Sequence, residues 1–395
     1  MFVWKCIFFS CIFIFLYNYF GYAILAYFIN LVYPKFKKRA TTDYYPTISF
    51  IVAAFNEAAI IEKKIENSLK LHYPQEKVEF IFITDGSTDN TPGIVSQYPQ
   101  IKLLHSPERK GKSSALNRAV KSAVNDILII NDANTFLNTD SLKNITRHYS
   151  DNMTGGVAGE KRVVESPDDS DNVGGQEGLY WKYEAALKKI DSDFYSVVGA
   201  AGELFSVRRE LYEDIPEATI LDDFVISLKI AEKGYRIIYE PKAYAMEFAS
   251  ASLGDEKKRK VRIAAGGFQS ILMLTSLFKF WKHPRLTFLY ISHRVLRWAL
   301  SPFCLILIFI SNLFLAFITN NFYYNICLLF QIIFYSISFI SNYISVNSKF
   351  KFLKFSGYFV FMNLSVIQGF FRFIFKRQTT NWEKATRSSA VINVE

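Results

Sequence analysis

Four stretches of this 395-residue chain are apolar enough to enter a lipid bilayer, and they limit what the rest can become. A helix needs about 20 apolar residues to cross a membrane. The first stretch, Phe2 to Val32, is rich in Phe, Ile and Tyr and is long enough. It exceeds the roughly 7–15-residue core of a cleaved signal peptide. It ends in Tyr33-Pro34 and a basic cluster, so residues 1–33 read as an N-terminal anchor. Three further spanning candidates run from about Trp298 to Ile318, Ile326 to Ile344 and Gly357 to Phe375, within 291–376. Residues 251–290 begin highly basic and turn apolar, as an amphipathic segment on a membrane surface would. Residues 377–395 form a polar tail.

The formal net charge is +10, and its placement matters more than its size. Lys35, Lys37, Lys38 and Arg39 follow the first apolar stretch, and Lys257 to Lys260 with Arg262 precede the later ones. Juxtamembrane cations mark the cytoplasmic side and attract anionic lipid. The expectation is a multi-pass protein of the cell (inner or plasma) membrane with its water-soluble domain in the cytoplasm. Three later spans would then leave the tail outside. Arg372, Lys376, Arg377, Lys384 and Arg387 favour a cytoplasmic tail, which would make one apolar segment re-entrant or interfacial. No zinc-finger, helix-turn-helix or RNP-like pattern supports a nucleic-acid partner. Cys6, Cys11, Cys304 and Cys327 all lie in apolar runs without a C-x-x-C pair, which fits packed thiols rather than a metal site or disulfide framework.

Residues 34–250 read as one α/β domain. Thr47 to Ala53, Val78 to Thr84, Ile101 to His105 and Ile127 to Asn131 are short apolar, β-rich runs, and Val157 to Val164 adds another. A helical run from Asn56 and Glu57 through Leu71, then Lys112 to Ala123 and Asp140 to Tyr149, alternate with them. That alternation implies a mostly parallel sheet covered on both faces. Ligands then bind at the carboxyl ends of the strands.

Acidic and polar motifs stand at those ends in a fixed order: Phe55-Asn56-Glu57, Thr84-Asp85-Gly86-Ser87-Thr88-Asp89, Asn131-Asp132-Ala133-Asn134 and Leu221-Asp222-Asp223. Asp85 is suited to hydrogen-bonding a nucleotide base or ribose. Asp89 caps the next helix or stiffens the loop. Asp132 is the main candidate ligand for a divalent cation, with Asn134 as a weaker carbonyl partner. Mg²⁺ commonly takes one or two carboxylates plus substrate phosphates. Arg109 to Asn117 opens a helix whose basic start and free N–H groups suit an anion. It is not a P-loop, because the first required glycine is missing. Gly199 to Glu203 lets the backbone approach a ligand. Asp222 and Asp223 either favour the start of the helix that follows or supply a general base.

Taken together these motifs resemble the family 2 glycosyltransferases, inverting enzymes with a GT-A (Rossmann-like, nucleotide-sugar-binding) domain. The resemblance covers roughly Thr47 to Gly267 and, more loosely, the membrane-spanning part. It implies Phe55 and Glu57 beside the uridine of a UDP-sugar, Asp85 on its base or ribose, and Lys112 near the nucleotide. It implies Asp132 on Mg²⁺ or Mn²⁺ with the diphosphate, and Gly202 and Glu203 beside the donor and acceptor sugars, where Asp222 and Trp181 are further candidates. Asp223 matches the catalytic base. The poly-N-acetylglucosamine synthase-like set is the nearest group. Arg259-Lys260-Val261-Arg262-Ile263 stands where processive synthases carry Q-x-x-R-W. Arg262 matches and is implied on the diphosphate or acceptor, while Ile263 replaces the sugar-stacking Trp. Trp181 and Tyr183 are available to stack on a sugar. The implied partners are a UDP-sugar donor, a glycan or lipid-linked acceptor, and membrane lipid. Single transfer to a lipid acceptor and a non-catalytic nucleotide-sugar-binding partner are the alternatives.

Overall fold

A computed structural model of the chain describes residues 1–32, 44–164, 173–250, 252–341 and 351–377. Tyr33-Pro34, the cluster at Lys35, Lys37, Lys38 and Arg39, and the tail cations Lys384 and Arg387 lie outside the described residues.

Among these residues the strands are β1 (Ile48–Ala54), β2 (Val78–Asp85), β3 (Ile101–Ser106), β4 (Ile127–Asp132), β5 (Phe136–Leu137), β6 (Thr154–Val164), β7 (Leu204–Arg208) and β8 (Arg236–Phe248). They form one sheet in the order β3-β2-β1-β4-β7-β6-β8-β5. β3, β2, β1 and β4 run parallel. β7 is antiparallel to β4 and β6, β8 is parallel to β6, and β5 is antiparallel to β8. The sheet is therefore mixed, where a mostly parallel one was expected. The sequence reading missed β5, β7 and β8. β8 carries Arg236, Glu240, Lys242 and Glu247, so no apolar run announces it.

The parallel half is buried on both faces, and period two divides its side chains. Ile48, Phe50, Val52, Phe80, Phe82 and Ile129 belong to one apolar core. Ile51, Ala53, Ile81, Ile83, Leu128 and Ile130 belong to the other. Ala54 pairs with Thr84 and Ala53 with Asp132, so the chain leaves β1, β2 and β4 at the same edge. The expected helix from Asn56 starts later, at Ile61, and ends at Leu69. Asn56 has φ +53°, a left-handed conformation that a helix start does not use.

Among the described residues four helices are long and apolar enough to cross a membrane: Phe2–Val32, Pro284–Thr319, Phe322–Ile340 and Lys354–Ile374. Phe2, Phe13, Phe317, Phe330 and Phe371 are exposed on them, as lipid-facing residues would be. The helices are not a separate layer. Tyr22, Ala26, Leu286, Leu289 and Tyr290 share one core with Ile51, Ile83 and Leu128 of the sheet.

The segment read as interfacial is more deeply packed than that reading implied. Its helix, Leu253–Met273, buries Glu256, Lys260 and the small run Ala264 to Gly267. A Cβ on Gly369 would come within 2.5 Å of the Ala264 Cβ, so the helix Lys351–Ile374 crosses at a spot where small residues are required. Beyond it, Phe280 and Trp281 are exposed beside Lys279 and Lys282, and there the amphipathic character persists.

Candidate active site

The first two motifs interlock. The Asn56 Oδ1 accepts the Thr88 N–H at 2.8 Å, and the Asp89 carboxylate accepts the N–H groups of Ala58 and Thr91, each at 3.0 Å. Asp89 therefore ties the β1 and β2 loops together as well as stiffening its own. Gly86 sits at φ +67°, and a Cβ there would lie 2.4 Å from the Arg109 Cβ. The turn needs glycine on both counts.

Asp85 is buried, and the chain itself satisfies its carboxylate. Oδ2 accepts the N–H groups of Lys110 (2.8 Å) and Gly111 (2.6 Å), and Oδ1 accepts from Arg118 at 3.0 Å. The loop amides at Lys110 and Gly111, expected to be open to an anion, are thus held by Asp85. Beside them a narrow recess is lined by Ala54, Phe55, Asp85, Arg109 and Lys112. The Arg109 guanidinium lies 3.7 Å above the Phe55 ring, stacked where a flat base would fit. Glu57 is buried, and its N–H donates to Thr91 Oγ1 at 2.8 Å; it is not among the residues lining the recess.

Lys112, the first residue of the helix Lys112–Ser122, joins the third and fourth motifs. Its Nζ donates to Asp132 Oδ1 at 2.7 Å and lies 3.7 Å from Asp222 Oδ2. Burial opposes its charge, but Asp132 and Asp222 raise its pKa overall. Burial pushes Asp132 upward against the pull of Lys112. Asp222 and Asp223 occupy the first turn of the helix Asp222–Glu232. Burial first, and then the neighbouring Asp222, push Asp223 up to about 7. A Cβ on Gly202 would lie 3.4 Å from Lys112 Nζ and 3.5 Å from Asp223 Oδ2, so this glycine keeps the space between them open.

These groups line a cavity of about 250 Å³ that also holds Gly202, Glu203, Trp181 and Arg262. Asn134 is not among its lining residues. The chain turns after β4, with the Thr135 N–H donating to Asp132 O at 3.3 Å, so positions 132 and 134 no longer share a face. Ile263 lines the cavity, whereas the Tyr183 hydroxyl donates to Tyr19 O at 3.0 Å, toward the N-terminal helix.

Behind the cavity lies an ion network that no motif announced. Lys161 donates to Glu203 Oε1 at 2.6 Å and also pairs with Glu247. Arg259 pairs with Glu177, with Glu247 at 3.4 Å and with Glu256 at 3.0 Å. Trp181 donates to Glu177 at 3.1 Å, and its ring faces the Lys161 ammonium at 4.8 Å. Sequence reasoning named Glu203, Trp181 and Arg259 singly but had no means of pairing this set, because its members come from β6, β8, the turn before β7 and two separate helices. The membrane-side wall, with Lys188, Arg294, Trp298 and Met362, was missed for the same reason.

Among the described residues no group of three or more His, Cys, Asp or Glu side chains is arranged to hold a metal. The donor set nevertheless fits a cation that also takes substrate oxygens. Asp222 Oδ2 is buried without a hydrogen-bond partner, and Asp132 faces the same ammonium. Hard divalent cations accept such oxygens, with phosphate completing the shell.

The fold has a solved counterpart. A mannosyltransferase from Pyrobaculum calidifontis, solved with GDP-Man and Mn²⁺, superposes with a TM-score of 0.72 over 95% of this chain and 100% of its own, at 23% identity. That likeness, with the strand-end acids, defines the GT-A class of glycosyltransferase fold. Residues 49–216 match the family model "Glycosyl transferase family 2". The chain is also similar to poly-beta-1,6-N-acetyl-D-glucosamine synthases of Staphylococcus aureus and Staphylococcus epidermidis. It is 29% and 26% identical to them over 232 residues, 57% of this chain and 55% of each relative. The match thus spans about half the length of these relatives.

Proposed function

We propose that this chain is a membrane-bound, inverting glycosyltransferase that passes a sugar from a UDP-sugar to a hydroxyl of a glycan acceptor. The observation that carries the reading is Asp223. Burial and the neighbouring Asp222 push its carboxylate up to about 7, and it faces the same open space as Gly202 and Lys112. A base acts best when its pKa lies near the working pH, and a positioned one contributes roughly 10²–10⁴-fold.

In this mechanism the nucleotide lies along Phe55, Asp85 and Lys112, with Glu57 behind the recess. Arg109 moves off the Phe55 ring to admit the base. Lys112 and Arg262 place positive charge at the diphosphate. Asp132 and Asp222 would hold Mg²⁺ or Mn²⁺, which when bound neutralises charge developing on the departing diphosphate. Asp223 takes the proton from the acceptor hydroxyl as that oxygen attacks the anomeric carbon on the face opposite the nucleotide. One displacement from an α-linked donor leaves a β-linkage. Glu203, held ionised by Lys161 against the effect of burial, and Trp181 border the sugars. The poly-N-acetylglucosamine synthases among the relatives support a glycan product, the apolar helices support a membrane location, and the cations flanking them in the sequence support a domain on the cytoplasmic side.

A second reading, single transfer to a lipid acceptor, is favoured by one observation: Trp298, Met362 and Val366, from membrane-length helices, line the same cavity. The test is nucleotide release by the detergent-solubilised chain from a panel of UDP-sugars and GDP-mannose, with Mn²⁺ or chelator, beside Asp223→Asn. Metal-dependent release with one donor, lost in the variant, supports transfer, and sizing the product separates polymer from single addition. Nucleotide binding without release from any donor would sink it.

A further inference from the structure

We propose that the membrane-side end of the cavity, at Lys188 and Arg294, holds the phosphate of a lipid-borne acceptor. As the identity of the occupant this rests on the transferase reading; as a binding site it stands on Lys188 itself. Lys188 is 4% exposed and lines the cavity. Among the described residues it has no hydrogen-bond or ion-pair partner; its ammonium sits 5.8 Å from the Trp181 ring centre. A buried ammonium without a hydrogen bond or a close ion pair is costly, so an anion placed beside it is favoured.

The surroundings add to the excess of positive charge. Arg294 lines the same end of the cavity and shares the Glu184 carboxylate with Arg297 and His293. One carboxylate thus serves two guanidiniums before Lys188 is counted. Burial first and then the Arg294 charge hold the Lys188 amine below its ordinary pKa, against the opposing pull of Glu184, Glu203 and Asp223. Lys188, Arg294 and Asp223 all line this one cavity, and in the transferase reading the acceptor lies with Asp223. The donor nucleotide belongs with Phe55, Asp85 and Lys112 at the sheet edge.

The adjoining wall supplies the second half of the argument. Trp298 comes from the π-helical stretch Ile291–Leu300, which leads into the apolar helix Ser301–Thr319. Met362 and Val366 come from Lys351–Ile374. A cation pair against an apolar wall of membrane-length helices matches a phosphate joined to a hydrocarbon chain.

The test is binding, which needs no turnover. The full chain in detergent is titrated with decaprenyl phosphate, decaprenol or inorganic phosphate, and tryptophan fluorescence is followed, since Trp181 and Trp298 line the cavity. Decaprenyl phosphate should bind at least tenfold more tightly than decaprenol. Lys188→Met should abolish that difference and Lys188→Arg restore part of it. Equal binding of alcohol and phosphate by the native chain overturns the proposal without any variant. So does inorganic phosphate binding as tightly as the lipid, which would make this a free-phosphate site. An unchanged preference in Lys188→Met overturns it as well. Absence of sugar transfer from every donor would remove the transferase reading and leave these binding outcomes intact.

Discussion

Lys112 Nζ lies 2.7 Å from Asp132 Oδ1, so an ammonium stands beside the carboxylate expected to carry a metal. The same ammonium is 3.7 Å from Asp222 Oδ2, an oxygen with no hydrogen-bond partner. Lysine and metal would then share two carboxylates, with the donor's phosphates supplying the remaining negative charge. Asp132→Asn should raise the Mn²⁺ concentration for half-maximal activity on the order of tenfold or more, a change of about 1.4 kcal/mol per decade. Lys112→Met should lower kcat/KM for the donor roughly 10²-fold, the usual size for one lost electrostatic donor. Metal titration of both variants checks this, and an unchanged Mn²⁺ requirement in Asp132→Asn would remove Asp132 from the metal site.

Asp223 sets a pH dependence whose sign follows from its role. Its pKa of about 7 means that the ionised, proton-accepting form dominates above that value and the protonated form below it. The kcat/KM of the free enzyme should be level above pH 7 and fall roughly tenfold per unit below it. Asp223→Asn should flatten the acid limb and lower the rate by about 10²–10⁴-fold. A native profile that is flat between pH 5 and 8 (a span covering roughly two units below that pKa) would count against Asp223 as the base.

Gly202 separates the base from the lysine. Ordinary van der Waals contact awaits even a Cβ at this position, at 3.4 Å from Lys112 and 3.5 Å from Asp223. Gly202→Val should therefore fill reaction space and lower kcat/KM by about 10²-fold, as misplacements of about 1 Å do. Its melting temperature should stay near that of the native chain, because the added atoms meet a cavity rather than a packed core. Thermal melts beside kinetics separate the two effects.

Arg259 should matter first for stability. With Lys161 and Lys260 it faces Glu177, Glu203, Glu247 and Glu256. Arg259→Met leaves buried carboxylates under-compensated and should cost about 3–5 kcal/mol. Adding Glu177→Gln should recover part of that, since one of the stranded charges is then gone. A double-mutant cycle by denaturant unfolding in detergent reads the coupling, and additive losses would show that the two residues are independent.

The parallel half of the fold was legible in the sequence, because strands buried on both faces are apolar runs and their acids fall at the ends. The four membrane-length helices were legible for a similar reason: lipid tolerates only long apolar helices. The family motifs came as an ordered set whose members are each ordinary turns when taken alone. What the sequence could not decide was which charges meet. Lys112 and Asp132 are 20 residues apart, Lys161 and Glu203 are 42 apart, and Arg297 and Glu184 are 113 apart. Charge pairing depends on distances of a few ångströms, and these are set only when β6, β7, β8 and the helices pack. The same packing made Asp85, which lines the recess, also hold the amides of its neighbouring loop. It moved Asn134 away from the cavity and Tyr183 toward the N-terminal helix. It also brought Lys188, which no motif marks, to the membrane wall. Local chemistry in the sequence determined which strands, acids and helices this chain would have; only the close approach of distant elements decided which of those acids and bases face a substrate.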